Sequence, residues 1–147
     1  MKGKVAIVTG SATGVGAATA VLLAKKGCNV VINYTRSEEE AISTSKLVEE
    51  QNVECIVVKA NVAIDEECKA MVQAAIDKWG RIDYLVNNAG KTKFNPFQNL
   101  EGLSSEDFLD IYSVNVVGPY QMIKAVVPYM KKQGSGAIVN DLSLIHI

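Results

Sequence analysis

Between residues 9 and 16 the chain reads Thr9-Gly10-Ser11-Ala12-Thr13-Gly14-Val15-Gly16. The run follows four aliphatic residues, Val5-Ala6-Ile7-Val8, and precedes a stretch rich in Ala and Leu. In that setting Gly10 can make a tight turn, Gly14 can let the backbone come close to a ligand, and Gly16 can let a helix pack tightly on a strand. A strand, a glycine turn and a helix leave main-chain N–H groups unpaired at the positive end of the helix dipole, an arrangement that suits a pyrophosphate. A Walker loop would end in Gly-Lys-Ser/Thr, whereas Gly14 and Gly16 are followed by Val15 and Ala17. The usual dinucleotide fingerprint has its first two glycines two positions apart, whereas Gly10 and Gly14 are four apart. A purely structural turn is the competing reading, because turns use glycine without any ligand.

Two further groups of polar residues ask for an explanation. Asn87-Asn88-Ala89-Gly90 closes an apolar run, where it is either a turn or the wall of a site. Asn115 stands among Val114, Val116 and Val117, and a buried amide there must find partners. It either serves a site or braces a helix bend near Pro119.

The elements that would carry these residues alternate between strand and helix. Val5 to Val8 suits a strand buried on both faces, and Gly14 to Lys26 reads as a helix stopped by Gly27. Asn29 to Tyr34 is the second strand. Ser37 with Glu40 forms a capping-box pattern that opens a helix to about Gln51. Glu54 to Ala60 is the third strand, and Asp65 is the expected N-cap of a helix closed by Gly80. Ile82 to Val86 is the fourth strand. Ser104 or Ser105 caps a long helix to about Lys132, which Pro119 should bend or split. Ala137 to Asn140 is the fifth strand. Strands separated by helices imply parallel pairing through right-handed crossovers, hence an α/β, doubly wound parallel sheet of Rossmann type. The stretch Lys91 to Leu103 follows a strand end, where such sheets place ligands, and it is either part of a substrate entrance or a plain connection.

Composition narrows the classes. The 147 residues carry 15 basic and 16 acidic side chains, so no cationic excess exists to neutralise a nucleic acid. With 48% hydrophobic residues, the chain can bury a core. No uninterrupted apolar run reaches membrane-spanning length, and no signal-peptide pattern opens the chain, which leads us to expect a cytoplasmic protein. Cys28, Cys55 and Cys68 lack metal-ligand spacing, and His146 is the single histidine, so reduced, packed thiols are expected and no metal site.

Taken together, Thr-Gly-x-x-x-Gly-x-Gly at 9–16, Asn87-Asn88-Ala89-Gly90 and Asn115 resemble the short-chain dehydrogenase/reductase family, over residues 3 to 140. Within it the chain is most similar to the 3-oxoacyl-(acyl-carrier-protein) reductase group. The resemblance implies strand order 3-2-1-4-5-6-7, a nicotinamide dinucleotide cofactor, and hydride transfer to or from a small carbonyl or alcohol substrate. It assigns the phosphates and adenosine ribose to Gly10, Ser11, Ala12, Thr13, Gly14, Val15 and Gly16. Asn61 and Val62 would flank the adenine, with Asn61 where the family more often has Asp. Asn88, Ala89 and Gly90 would lie along the nicotinamide-side ribose. Asn115 matches the family's proton-relay Asn. The end of the second strand, Asn33-Tyr34-Thr35-Arg36-Ser37, has no acid to grip a ribose 2′-hydroxyl, and Arg36 could pair with a 2′-phosphate. NADP(H) is therefore the expected cofactor, with NAD(H) as the alternative and Arg36 then a solvated charge.

The chain also departs from the family pattern. The family's Tyr-x-x-x-Lys pair is expected beyond the catalytic Ser, and Tyr120 with Lys124 has that spacing only within the wrong helix. Ser143 falls near the family's catalytic Ser. The residues Leu142 to Ile147 resemble the translation of a transposon end used in sequencing libraries, so the expectation is a Rossmann domain over 1–141, cut after its fifth strand, with a non-native tail in which His146 has no role. On that expectation the parent is a homotetrameric enzyme and this chain an inactive N-terminal piece. A non-catalytic dinucleotide-binding module remains the alternative, and a flavodoxin-like domain would leave the Asn motifs unexplained.

Overall fold

The computed structural model describes residues 1–141. Ser143, His146 and the proposed tail lie outside the described residues. Among the described residues five strands, β1 (Val5–Val8), β2 (Asn29–Tyr34), β3 (Cys55–Lys59), β4 (Tyr84–Asn87) and β5 (Ala137–Asn140), are separated by one α-helix each, except that two lie between β4 and β5. The helices are α1 (Gly14–Lys25), α2 (Glu38–Glu49), α3 (Asp65–Trp79), α4 (Ser105–Tyr112) and α5 (Gly118–Gln133). Every strand pairing is parallel and the order is β3-β2-β1-β4-β5. This is the Rossmann-type, doubly wound sheet expected from the alternation.

The continuous apolar run of β1 now has its reason. Val5 and Ile7 join one core with Met71, Val72 and Ala75 of α3 and Met122 and Val126 of α5. Ala6 and Val8 join the other, with Ala20 and Ala24 of α1 and Ala41 and Val48 of α2. A central strand with a helix layer on each face has no polar side to show.

Several boundaries differ from those expected. Ser37 makes no side-chain cap and α2 ends at Glu49. The Glu38 N–H instead donates to the Arg36 carbonyl, so the turn before the helix takes the place of the cap. Asp65 is the first residue of α3 rather than its N-cap, which is Ile64. The Asp65 carboxylate holds Lys69 and Lys124, tying α3 to α5. β4 begins at Tyr84; just before it the Asp83 main chain still bonds Val5 and Ala137, while its carboxylate accepts the Val5 N–H at 2.9 Å and pairs with Lys4 and Arg81. Ser104 does cap α4, in a reciprocal capping box with Asp107.

The long helix splits just before Pro119. Residues Ser113–Val117 take wider π turns, and Pro119 sits in the first turn of α5. Pro119 has no N–H to offer the carbonyl four residues back, that of Asn115, so the regular ladder cannot run through this point.

Candidate functional site

The carboxyl ends of the strands carry two turns locked into one unit. Thr9 Oγ1 accepts hydrogen bonds from the N–H groups of Asn88 and Ala89, both at 3.0 Å. In return Asn88 Nδ2 donates to the carbonyls of Thr9 at 2.9 Å and Gly10 at 3.1 Å. The glycines make this approach possible. A Cβ on Gly10 would lie 2.8 Å from Ala89 Cα, and one on Gly16 would lie 2.5 Å from both the Gly10 carbonyl oxygen and Asn88 Nδ2. Gly14 differs: at φ +59° it is left-handed, and nothing stands within 4 Å of where its Cβ would be.

Behind this turn α1 begins without a side-chain cap from Thr13 and without an acid in its first turn. Its first N–H groups therefore keep their positive field, with no carboxylate or hydroxyl competing for it. A groove of about 540 Å³ opens here, across the ends of β1 to β4.

Most of the expected binding residues come together in that groove. Gly10, Thr13, Arg36, Asn61, Val62, Asn88, Ala89 and Gly90 line it. Gly14 and the 63% exposed Val15 stand in the open first turn of α1. Ser11, Ala12 and Gly16 are buried and hold the loop in place. Ser11 Oγ donates to the Val8 carbonyl at 2.7 Å and accepts the Asn33 N–H at 2.9 Å. The Ala12 carbonyl accepts from Thr44 Oγ1 at 2.9 Å. Asn61 turns its Oδ1 to the Ala63 N–H at 3.0 Å and gives its own N–H to Glu67 at 2.6 Å.

Asn115 is not a lining residue. Its side-chain amide accepts the Lys91 N–H and donates to the Lys91 carbonyl, fixing the chain just past Gly90. Ser143 lies outside the described residues. Neither Tyr120 nor Lys124 lines the groove: Lys124 pairs with Asp65 at 2.8 Å, and Tyr120 is exposed on α5 with the Lys124 ammonium 5.9 Å from the centre of its ring.

Sequence reading misses Asn33, which the structure makes central. Only 2% exposed, it accepts the Gly10 N–H on Oδ1 at 3.0 Å and donates from Nδ2 to the Ala60 carbonyl at 3.0 Å, joining the ends of β1, β2 and β3. A polar residue inside an otherwise apolar strand was the available signal. Lys91 and Asp110 also line the groove and form an ion pair. Beside them Lys93 holds Asp107 at 2.6 Å. The Lys93 ammonium and the Ser104 N–H together pull the Asp107 carboxyl down to about 2.

Comparison with known proteins agrees with this geometry. The sequence model of the short chain dehydrogenase family matches residues 4–145. The chain therefore belongs to the short-chain dehydrogenase family. A 3-oxoacyl-(acyl-carrier-protein) reductase of Staphylococcus epidermidis is 36% identical over 142 residues, which are 97% of this chain and 57% of the reductase. An uncharacterised oxidoreductase of Thermotoga maritima is 41% identical over 139 residues, 95% of this chain and 53% of that protein. The chain thus spans little more than half the length of these relatives. Among solved structures, a putative short-chain dehydrogenase/reductase from Burkholderia xenovorans superposes with a TM-score of 0.92 at 33% identity, over 96% of this chain and 60% of that one. An NAD+-bound xylitol dehydrogenase superposes at 0.88 and 33% identity, over 97% of this chain and 54% of that one. Among the described residues no helix is long and apolar enough to cross a membrane, and no cluster of His, Cys, Asp and Glu could hold a metal ion.

Proposed function

We propose that this chain is the cofactor-binding part of an NAD(P)-dependent oxidoreductase acting on a small carbonyl or alcohol substrate. The observation that carries the reading is the groove formed where the glycine turn and the Asn88 turn lock together in front of an uncapped helix. The residues fit the cofactor: Gly14 leaves a Cβ-sized opening at the turn, and the first N–H groups of α1 are donors suited to a pyrophosphate. When bound, the nicotinamide supplies hydride chemistry.

The protein's own residues bind and orient. The N–H groups of Thr13 to Gly16 hold the pyrophosphate. Asn61 and Val62 flank the adenine. Asn88 and Gly90 bound the nicotinamide side, and Asn115 supports the wall there. Arg36 lines the groove beside Thr35, with no acid at the end of β2, which supports a preference for NADP(H) through the 2′-phosphate. In the one Tyr-x-x-x-Lys spacing of the chain, Lys124 is held by Asp65 of α3, Tyr120 is exposed, and neither lines the groove, so on this reading that pair does not supply the general acid. The parent is a cytoplasmic homotetramer on this reading.

Isothermal titration with NADPH and NADH tests the proposal. Saturable binding with NADPH the tighter ligand is expected. Absence of binding by either nucleotide would overturn it.

A further inference from the structure

Lys91 is held in two ways from the same stretch of chain. The Asn115 amide grips its main chain through both N–H and carbonyl. The Asp110 carboxylate grips its ammonium. One step further along the loop, Lys93 repeats the arrangement with Asp107 at 2.6 Å. Asp107 and Asp110 lie one turn apart on α4, so both face the loop that leaves β4. Lys91 and Asp110 also line the groove, next to Gly90 and Val114. The opposite end of the groove is bounded by Thr35 and Arg36, at the end of β2.

A dinucleotide lying with its pyrophosphate on the glycine turn spans both ends. The residues after β2 read the adenosine ribose in folds of this type, so the nicotinamide half falls over the end of β4. We propose that the Lys91–Asp110 ion pair is a positioning device for that half: it anchors the wall beyond Gly90 to α4, so that the nicotinamide nucleotide meets a pre-set surface. The pair is not itself a phosphate contact, since the Lys91 charge is already answered by Asp110. This inference rests on the dinucleotide reading above and extends it to two residues to which that reading gives no role.

The test compares a whole cofactor with half of one. The full chain and its Lys91→Met, Asp110→Asn and charge-swapped Lys91→Asp/Asp110→Lys variants are titrated calorimetrically with NADPH and with adenosine 2′,5′-bisphosphate, which lacks the nicotinamide nucleotide. Thermal melts confirm folding of each. Each single variant is expected to weaken NADPH about fivefold, the equilibrium equivalent of the upper end for an exposed ion pair, and to leave the bisphosphate unchanged. The swapped pair is expected to recover most of the loss. Equal weakening of both ligands would reduce the pair to general support of the fold and overturn the inference. No change in either ligand would overturn it as well. Tighter NADPH binding by Asp110→Asn would make Lys91 a direct phosphate ligand, again contrary to it. If the unaltered chain binds the bisphosphate but not NADPH, the positioning claim fails while the adenosine half of the reading survives. If it binds neither, the dinucleotide reading itself fails.

Discussion

Asn115 and Lys91 close a reciprocal pair: the Lys91 N–H reaches Asn115 Oδ1 at 2.8 Å, and Asn115 Nδ2 reaches the Lys91 carbonyl at 2.9 Å. A single side chain thereby fixes the peptide groups on both sides of one residue. It does so from the centre of the π turns that Pro119 imposes. Replacing Asn115 with Ala removes both bonds, at about 1–2 kcal/mol of stability. Asn115→Asp keeps the acceptor and loses the donor, so it should fall between Ala and the parent. Urea unfolding midpoints of the three chains check the order.

The glycines should separate by function. Gly16→Ala drives a methyl to 2.5 Å from the Gly10 carbonyl oxygen and Asn88 Nδ2, parting the two turns. Overpacking of this kind costs about 1–3 kcal/mol, so both stability and NADPH affinity should fall. Gly14→Ala meets open space, and its fold cost is the left-handed backbone alone, about 1 kcal/mol. Its methyl stands where the ligand belongs, so affinity should fall by more than stability does. Thermal melts beside calorimetric titrations distinguish the two patterns.

Much of this architecture is legible in the residues. β2 and β5 run Asn29–Tyr34 and Ala137–Asn140 in sequence and structure alike, because the short apolar stretches Val30-Val31-Ile32 and Ala137-Ile138-Val139 are too brief for a helix and suit a strand. The strand order follows from the family resemblance rather than from periodicity. Elsewhere local patterns lose to tertiary partners. The Ser37 capping signature goes unused because an Arg36–Glu38 turn takes its place. Asp65 leaves the N-cap for Lys69 and Lys124, partners on α3 itself and on α5. Asn33 shows its role only when β1 and β3 flank it. Pro119 marks a break in the long helix, but no pattern in the residues shows that the break is a π segment centred on Asn115.

Arg36→Ala should weaken NADPH about tenfold while leaving NADH nearly unchanged, the effect of losing a charge-assisted contact to one phosphate. Parallel titrations of both nucleotides check it. Equal losses for both would remove Arg36 from cofactor choice.

Acid should loosen the chain through Asp83. Burial works to raise this carboxyl, but Arg81, the Val5 N–H and Lys4 outweigh it and hold it down to about 2. An unfolded Asp titrates near 4. The stabilisation, about 2 kcal/mol, is thus fully present above pH ~4 and is lost as pH falls towards 2. Asp107, also held to about 2, titrates in the same window. Urea midpoints should decline across it, and Asp83→Asn should flatten that decline while lowering stability at neutral pH.

The thiols should be inert in the folded chain. Burial pushes Cys55 up to about 12 and Cys68 up to about 11, and raises Cys28 as well. A thiol reagent at pH 8 should label the native protein slowly and the guanidinium-unfolded protein at once, because only the thiolate reacts.

The most direct test of the whole account is an amide ¹H–¹⁵N titration of the isotope-labelled chain with NADPH. The largest shifts are expected at the N–H groups of Thr13 to Gly16, with a second set at Asn88 to Lys91. Shifts absent from the glycine turn, or confined to the opposite end of the sheet around Asp83, would contradict it.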